Sequence, residues 1–142
     1  MQVRELMNPN VVTVDPTSSA ALASRLLSRN NIGALPVCTA QGALRGVVTD
    51  RDIVLRCVAA EEDPAQTQIK DIMSRRPVVA EPDMDCLTAS QLMAHHQVRR
   101  LPVVEKGKVV GMVSLGDLAK CPSFDMEAAQ ALSEISENII RR

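Results

Sequence analysis

Val3-Arg4-Glu5-Leu6-Met7 returns 66 residues later as Ile69-Lys70-Asp71-Ile72-Met73, with the same order of apolar and charged side chains. The offset holds further along the chain. It places Val12 on Val78, Asp15-Pro16 on Glu81-Pro82, and Leu35-Pro36-Val37 on Leu101-Pro102-Val103. After one deletion the offset becomes 65, and Gly42 falls on Gly107, Gly46 on Gly111, Thr49 on Ser114 and Asp52 on Asp117. A fixed internal period means one supersecondary unit used twice. The 142 residues therefore divide into two similar halves.

Each half reads as β-α-β-β-α. Residues 11–14 and 77–80 are short apolar runs stopped by Pro16 and Pro82, as brief strands are. A helix follows. In the first half Thr17, Ser18 or Ser19 caps it, and Leu22, Leu26 and Leu27 share one face. In the second half Asp83 or Asp85 caps it, and Ala89, Leu92 and Met93 point inward. Asn30, Asn31 and Gly33 supply the stop signal of the first helix. Two strands come next, over 34–38 and 44–49 in one half and 101–104 and 108–114 in the other. Their connections, 39–42 and 105–107, have the length and glycine of hairpin loops, so each strand pair is antiparallel. The closing helices run from Asp52 through Val58 and from Asp117 through Ala119. A unit of about 60 residues leaves apolar surface uncovered, so the halves are expected to pack together.

The boundaries expected are 1–60 for the first repeat, 61–68 for a polar connector, 69–121 for the second repeat and 122–142 for a C-terminal helix. Ser123 suits the N-cap of that helix, Asp125 and Glu127 its first turn, and Arg141-Arg142 its end. Phe124, Ala128, Ala131, Leu132, Ile135 and Ile139 form an apolar stripe at helical spacing. Either the helix folds back on its own chain, or the stripe joins two copies in a homodimer.

Composition excludes several classes of function. Sixteen basic and seventeen acidic side chains leave a net charge of −1, and the single Phe is the whole aromatic content. A surface that grips nucleic acid needs basic excess and stacking rings, so nucleic acid is not the expected partner. No apolar run has the length of a membrane span, and Glu5, Asn8 and Pro9 interrupt any signal-like segment, so a cytoplasmic protein is expected. Cys38, Cys57, Cys86 and Cys121 are scattered and read as buried thiols. His95 and His96 are adjacent, about 100° apart on a helix, and do not clamp one metal. There is no Gly-x-x-x-x-Gly-Lys-Ser/Thr, no His-Glu-x-x-His, no Gly-x-Gly-x-x-Gly and no nucleophile elbow, so no enzyme is expected.

The paired Leu-Pro-Val segments, the two opening motifs, Gly46-Val-Val-Thr-Asp-Arg-Asp52 and Gly111-Met-Val-Ser-Leu-Gly-Asp117 together resemble paired cystathionine-β-synthase (CBS) domains over about residues 3–120. The resemblance implies an α/β fold of the α+β kind, two β-α-β-β-α repeats packed with pseudo-two-fold symmetry, plus the C-terminal helix. It further implies clefts that take an adenosine-containing ligand such as AMP, ADP, ATP or S-adenosylmethionine in a regulatory, non-catalytic role. No cofactor is required, and a regulated partner protein is left unidentified. Apolar and backbone contacts would come from Ala34, Pro36, Val79 and Pro102, and phosphate contacts from Arg51, Arg99 and Arg100.

Thr49 and Asp52, like Ser114 and Asp117, stand three apart at a strand-to-helix junction and face one side of a turn. A carboxylate there can accept from both hydroxyls of a ribose, while the hydroxyl and the first helix amides suit a phosphate. The same spacing is also a capping box that only satisfies helix amides. Gly33 and Ala34 match Arg99 and Arg100, and Gly116 matches Arg51, so basic charge is unequal and the clefts are expected to differ. A ligand-independent interaction module with vestigial clefts is the competing reading.

Overall fold

The computed structural model describes residues 1–119 and 132–136. Within them the chain forms two compact units whose composition crosses the repeat boundary. The first unit holds Val12–Pro77 together with Gly107–Val109, and the second holds Met1–Val11, Val78–Lys106 and the described residues from Val110 onward. Each repeat's opening motif thus folds with the other repeat.

In the first unit, helix α1 (Ala20–Asn30) starts at Ser19, whose side chain accepts from the Leu22 amide. It ends at Asn31, left-handed at φ 51, a conformation that Asn tolerates at a helix end. Strands β1 (Ala34–Cys38) and β2 (Leu44–Thr49) pair antiparallel, with a register shift between Val37 and Cys38. Helix α2 (Asp50–Ile53) follows directly and runs on into a π-type turn, Val54–Val58. After the connector come α3 (Ile69–Ile72) and β3 (Ser74–Arg75), which pairs with β2 at Gly46 and Val47.

A four-residue helix has no stability of its own. Helix α3 is held because Ile69 N–H donates to Ser18 O and Lys70 N–H to Pro16 O, both at 2.9 Å, while Ile69 and Ile72 enter the core. That core is aliphatic: Val14, Leu27, Leu35, Val37, Val48 and Ile53 pack with them. The 61–68 connector is tied down as well. Pro64 O and Thr67 O accept from Ala21 and Ala20 amides at 3.0 and 2.8 Å, closing the first turn of α1.

The second unit repeats the plan with helix α4 (Cys86–His96), strands β4 (Arg100–Glu105) and β5 (Lys108–Ser114), and helix α5 (Leu115–Ala119). Asp85 caps α4 by accepting from Leu87 N–H, and Gln97 closes it at φ 59. Lys106 and Gly107 both have positive φ, as a two-residue hairpin that matches strand twist requires. The borrowed segment is Val3–Glu5, a 3-10 turn whose Val3 and Arg4 amides donate to Met84 O and Pro82 O at 2.9 and 3.0 Å. Val3 is fully buried among Ala89, Met93, Leu101, Val103 and Leu118.

The two repeated glycines explain the two repeated methionines. A Cβ on Gly46 would lie 2.9 Å from Met73 Sδ, and one on Gly111 would lie 2.6 Å from Met7 Sδ. Each strand therefore takes the opening motif of the other repeat close against its backbone at a position that carries no side chain.

The opening strand of each repeat is reduced to a single parallel bridge, Val14 with Val37 and Ala80 with Val103. The cause is proline. The next ladder donors in register would be residues 16 and 82, and Pro16 and Pro82 have no N–H. The first closing helix begins at Asp50 instead of Asp52, because Thr49 is its cap. Cys38, Cys57 and Cys86 are buried thiols, and burial pushes the Cys38 thiol pKa up. Of the C-terminal stripe, Ile135 is 1% exposed in the second unit's core and Leu132 is 44% exposed. Cys121, Ser123, Phe124, Asp125, Glu127, Ala128, Ala131, Ile139, Arg141 and Arg142 lie outside the described residues.

Candidate functional site

The first junction is built where β2 hands over to α2. Thr49 Oγ1 accepts from the Asp52 N–H, and Asp52 Oδ2 accepts from the Thr49 N–H, both at 3.0 Å. The reciprocal pair is a capping box, and it fixes the carboxylate at the mouth of the turn with Asp52 only 9% exposed. Asp50 N–H donates to Gly33 O at 3.0 Å, and Arg51 N–H donates to the Asp50 carboxylate at 2.8 Å. All three amides of the first turn thus have acceptors. Ala34 is the cross-strand partner of Thr49. Pro36 is buried, its carbonyl taken by Val14 N–H, and Arg51 is exposed.

The second junction reproduces that geometry where β5 meets α5. Ser114 Oγ accepts from Asp117 N–H at 3.0 Å, and Asp117 Oδ2 accepts from Ser114 N–H at 2.8 Å. Leu115 N–H donates to Arg99 O at 2.8 Å, which brings the Arg99 backbone to the junction. The side chains of Arg99 and Arg100 are exposed, with Arg100 opening β4. Pro102 is buried and its carbonyl accepts from Ala80 N–H at 2.9 Å, next to the half-buried Val79.

The expected residues therefore fall into two sets. Ala34, Pro36, Thr49, Arg51 and Asp52 lie in the first unit, and Val79, Arg99, Arg100, Pro102, Ser114 and Asp117 in the second. Two further side chains belong to the first junction. Asp50 occupies a helix amide with its own carboxylate, and Arg56 brings Nη1 to 4.0 Å from Asp52 Oδ1. Their signal in the sequence is spacing alone: Asp50 follows the capping Thr49, and Arg56 stands one helical turn beyond Asp52. Arg56 also lines a cleft of about 400 Å³ with Glu62, Asp63, Gln66, Thr67, Asp71 and Ile72.

Each junction offers a fixed carboxylate, hydrogen-bond acceptors and nearby Arg side chains, a set that can hold a diol and an anion. Among the described residues no group of three or more His, Cys, Asp and Glu side chains is placed to hold a metal ion. The rings of His95 and His96 meet edge to face at 4.8 Å. No described helix is long and apolar enough to cross a membrane.

The sequence profile of the CBS domain matches twice, over residues 3–58 and 69–123. The chain belongs to the CBS-domain family. It is 44% identical over 138 residues to the CBS domain-containing protein YhcV of Bacillus subtilis, covering 97% of both chains. Among solved structures, Hypoxic Response Protein I aligns with a TM-score of 0.79 at 31% identity, over 84% of this chain and 98% of that one. That structure holds two coordinated zinc ions. The CBS domain pair of MJ0100 aligns with a TM-score of 0.76 at 26% identity, over 84% of this chain and 94% of that one. It was solved in complex with 5′-methylthioadenosine and S-adenosyl-L-methionine. The two-repeat α/β architecture of this chain is that of a CBS pair.

Proposed function

We propose that this CBS pair is a regulatory, non-catalytic module that binds an adenosine-containing ligand at its Thr49–Asp52 and Ser114–Asp117 junctions. The observation that carries the reading is the duplicated reciprocal hydroxyl–carboxylate pair, held at 2.8 to 3.0 Å in both repeats. At Asp52 capping takes one acceptor site, and a carboxylate offers about four lone-pair sites, so acceptor capacity remains there for ribose hydroxyls. The adenosyl ligands of the MJ0100 pair support the same reading. Apolar and backbone groups around Ala34, Pro36, Val79 and Pro102 serve the adenine, and Arg51, Arg99 and Arg100 serve the phosphate. AMP, ADP, ATP and S-adenosylmethionine are the candidate ligands. Calorimetric titration of the full chain with AMP and with adenosine tests it. Micromolar binding is the expected result, and absence of heat with every adenosyl compound would leave the interaction-module reading in its place.

A homodimer belongs to the same proposal. Its support is Val54, Leu55 and Val58, which are 54%, 50% and 59% exposed on one turn of the first repeat. Three apolar side chains presented together mark an association surface. Ile135, by contrast, is already in the core, so cutting the chain before it would damage the fold instead of testing an interface. Light scattering on Leu55→Glu is the direct test: the variant is expected to run as a monomer at concentrations where the unmodified chain is dimeric.

A further inference from the structure

Arg56 stands apart from the other arginines because its guanidinium joins two segments far apart in the chain. Its Nη1 donates to Ile72 O at 3.0 Å and to Met73 O at 3.3 Å, across sequence separations of 16 and 17 residues. The same nitrogen lies 4.0 Å from Asp52 Oδ1. The two hydrogens of Nη1 are engaged by the two carbonyls, so its approach to Asp52 is a charge contact between an exposed cation and a nearly buried carboxylate. Ile72 is a core residue and Met73 is the side chain that Gly46 admits, so the carbonyls that Arg56 grips belong to the segment locking β2 in place. At the 65-residue offset Arg56 falls on Cys121, so the sequence does not repeat this cation at the matching position of the second half.

We infer that Arg56 is a positioning residue that couples the ligand-facing carboxylate of Asp52 to the Ile72 and Met73 backbone, so that occupancy of the first junction is transmitted to the opening segment of the second repeat. The inference rests on the proposed ligand role of Asp52 and adds the route by which that ligand is sensed. A ribose hydroxyl donating to Asp52 competes for the charge that Arg56 now faces, and the guanidinium answers by tightening on the two carbonyls. Coupling of this kind between a site and a packed segment is commonly worth a several-fold change in affinity.

The test uses the full chain, adenosine as probe, and hydrogen exchange at two amides. Thr49 N–H reports on Asp52, to which it donates, and Met73 N–H reports on α3, where it donates to Ile69 O at 2.8 Å. In the unmodified chain adenosine is expected to slow exchange at both. In Arg56→Gln it slows Thr49 only, and the dissociation constant rises about fivefold. Arg56→Lys keeps a cation on the side of Asp52, but its ammonium stops one bond short of the Nη1 position that reaches the two carbonyls, so it recovers affinity and leaves Met73 unprotected. It also carries the comparison if the Gln variant does not fold. A purely structural Arg56 would instead raise Met73 exchange equally with and without adenosine. Met73 protection by adenosine that is undiminished in Arg56→Gln overturns the coupling and leaves the ligand reading standing. An unmodified chain that binds neither adenosine nor AMP overturns both.

Discussion

The two strand-to-helix junctions share one hydrogen-bond pattern and differ in the charges set around it. At the first, Asp50 and Asp52 both stand in the opening turn, Asp50 closing the Arg51 amide and Asp52 facing Arg56. At the second, the position of Asp50 is taken by Leu115, which is 6% exposed and packed in the core, and the position of Arg51 by Gly116. The first junction is a closed polar network. The second is anchored by apolar packing and is preceded by Arg99 and Arg100. Capping geometry repeats because every helix start must satisfy its amides; charge is under no such demand, and there the halves have parted. On the proposed ligand role, an anion at the first junction would meet the Asp50 carboxylate beside Arg51 and Arg56, whereas at the second it would meet Arg99 and Arg100 with no such carboxylate.

The largest difference between the halves is expected where each accepts its borrowed methionine. A Cβ on Gly46 would lie 2.6 Å from the Ser74 backbone oxygen as well as 2.9 Å from Met73 Sδ. A Cβ on Gly111 meets Met7 Sδ at 2.6 Å but backbone only at 3.2 Å, at Asn8 O. A thioether swings aside, and a paired strand does not. Gly46→Ala should therefore cost about 3 kcal/mol and Gly111→Ala about 1 kcal/mol, within the usual range for overpacking. Urea unfolding of the two variants measures this, and equal losses would mean that β3 yields as readily as a side chain.

That contact also marks the limit of what could be read in the sequence. The repeats, the hairpins and the presence of a cap before each long helix were legible because each depends on residues within a few positions of one another, whereas the choice of Ser19 among residues 17–19 and of Asp85 over Asp83 came from the fold. The exchange of opening segments was not. Ile69 and Val3 show only that they are apolar, and nothing in their order tells which half they cover. Gly46 with Met73 and Gly111 with Met7 were visible as repeated letters, but their meaning as contacts needs the fold. The same division holds at the site. Thr49 with Asp52, and Ser114 with Asp117, could be paired by spacing, whereas Arg56 reaches carbonyls 16 and 17 residues away.

Asp52→Ala and Asp117→Ala carry the comparison to ligand binding. Each should weaken adenosine at its own junction by about 1.5–3 kcal/mol, the scale of a lost charged hydrogen bond. Each also removes the carboxylate half of a capping box and the hydrogen bond it accepts, which costs about 1 kcal/mol of stability. Paired calorimetric and melting curves separate the two effects. Variants that melt lower yet bind normally would reduce both carboxylates to caps.

Phosphate should then distinguish the halves. Arg99→Gln combined with Arg100→Gln is expected to shrink the preference for AMP over adenosine about fivefold, roughly seven-tenths of a tenfold step in free energy and a scale suited to exposed cations. Asp50→Asn works in the opposite direction at the first junction, raising AMP affinity about twofold by removing the carboxylate that an incoming phosphate would face. A double variant with an unchanged AMP-to-adenosine ratio would take both arginines out of the site.

The smallest expected difference lies in the turns that precede the helices. Asp15 Oδ1 accepts from Thr17 Oγ1 at 2.6 Å and from Thr17 N–H at 2.8 Å. The hydroxyl first, and the amide after it, hold the Asp15 carboxyl below its ordinary value of 3.8. Glu81 and Asp83 occupy these two positions in the second repeat, and among the described residues no side-chain hydrogen bond joins them. A carboxyl lowered in the folded state stabilises that state wherever the unfolded chain is also ionised. The contribution is complete above about pH 5, and it is lost as pH falls through 3.8 toward the lower native value. Asp15→Asn should therefore lower the urea midpoint slightly at pH 7 and at pH 5, with the gap from the unmodified chain narrower at pH 3. Glu81→Gln should leave the midpoint unchanged at all three. The effect is small because Asp15 is fully open to water, where solvent screens the charge that its hydrogen bonds favour. A gap that persists undiminished at pH 3 would show that the side chain acts through shape and not through its charge, and that the two turns differ in packing alone.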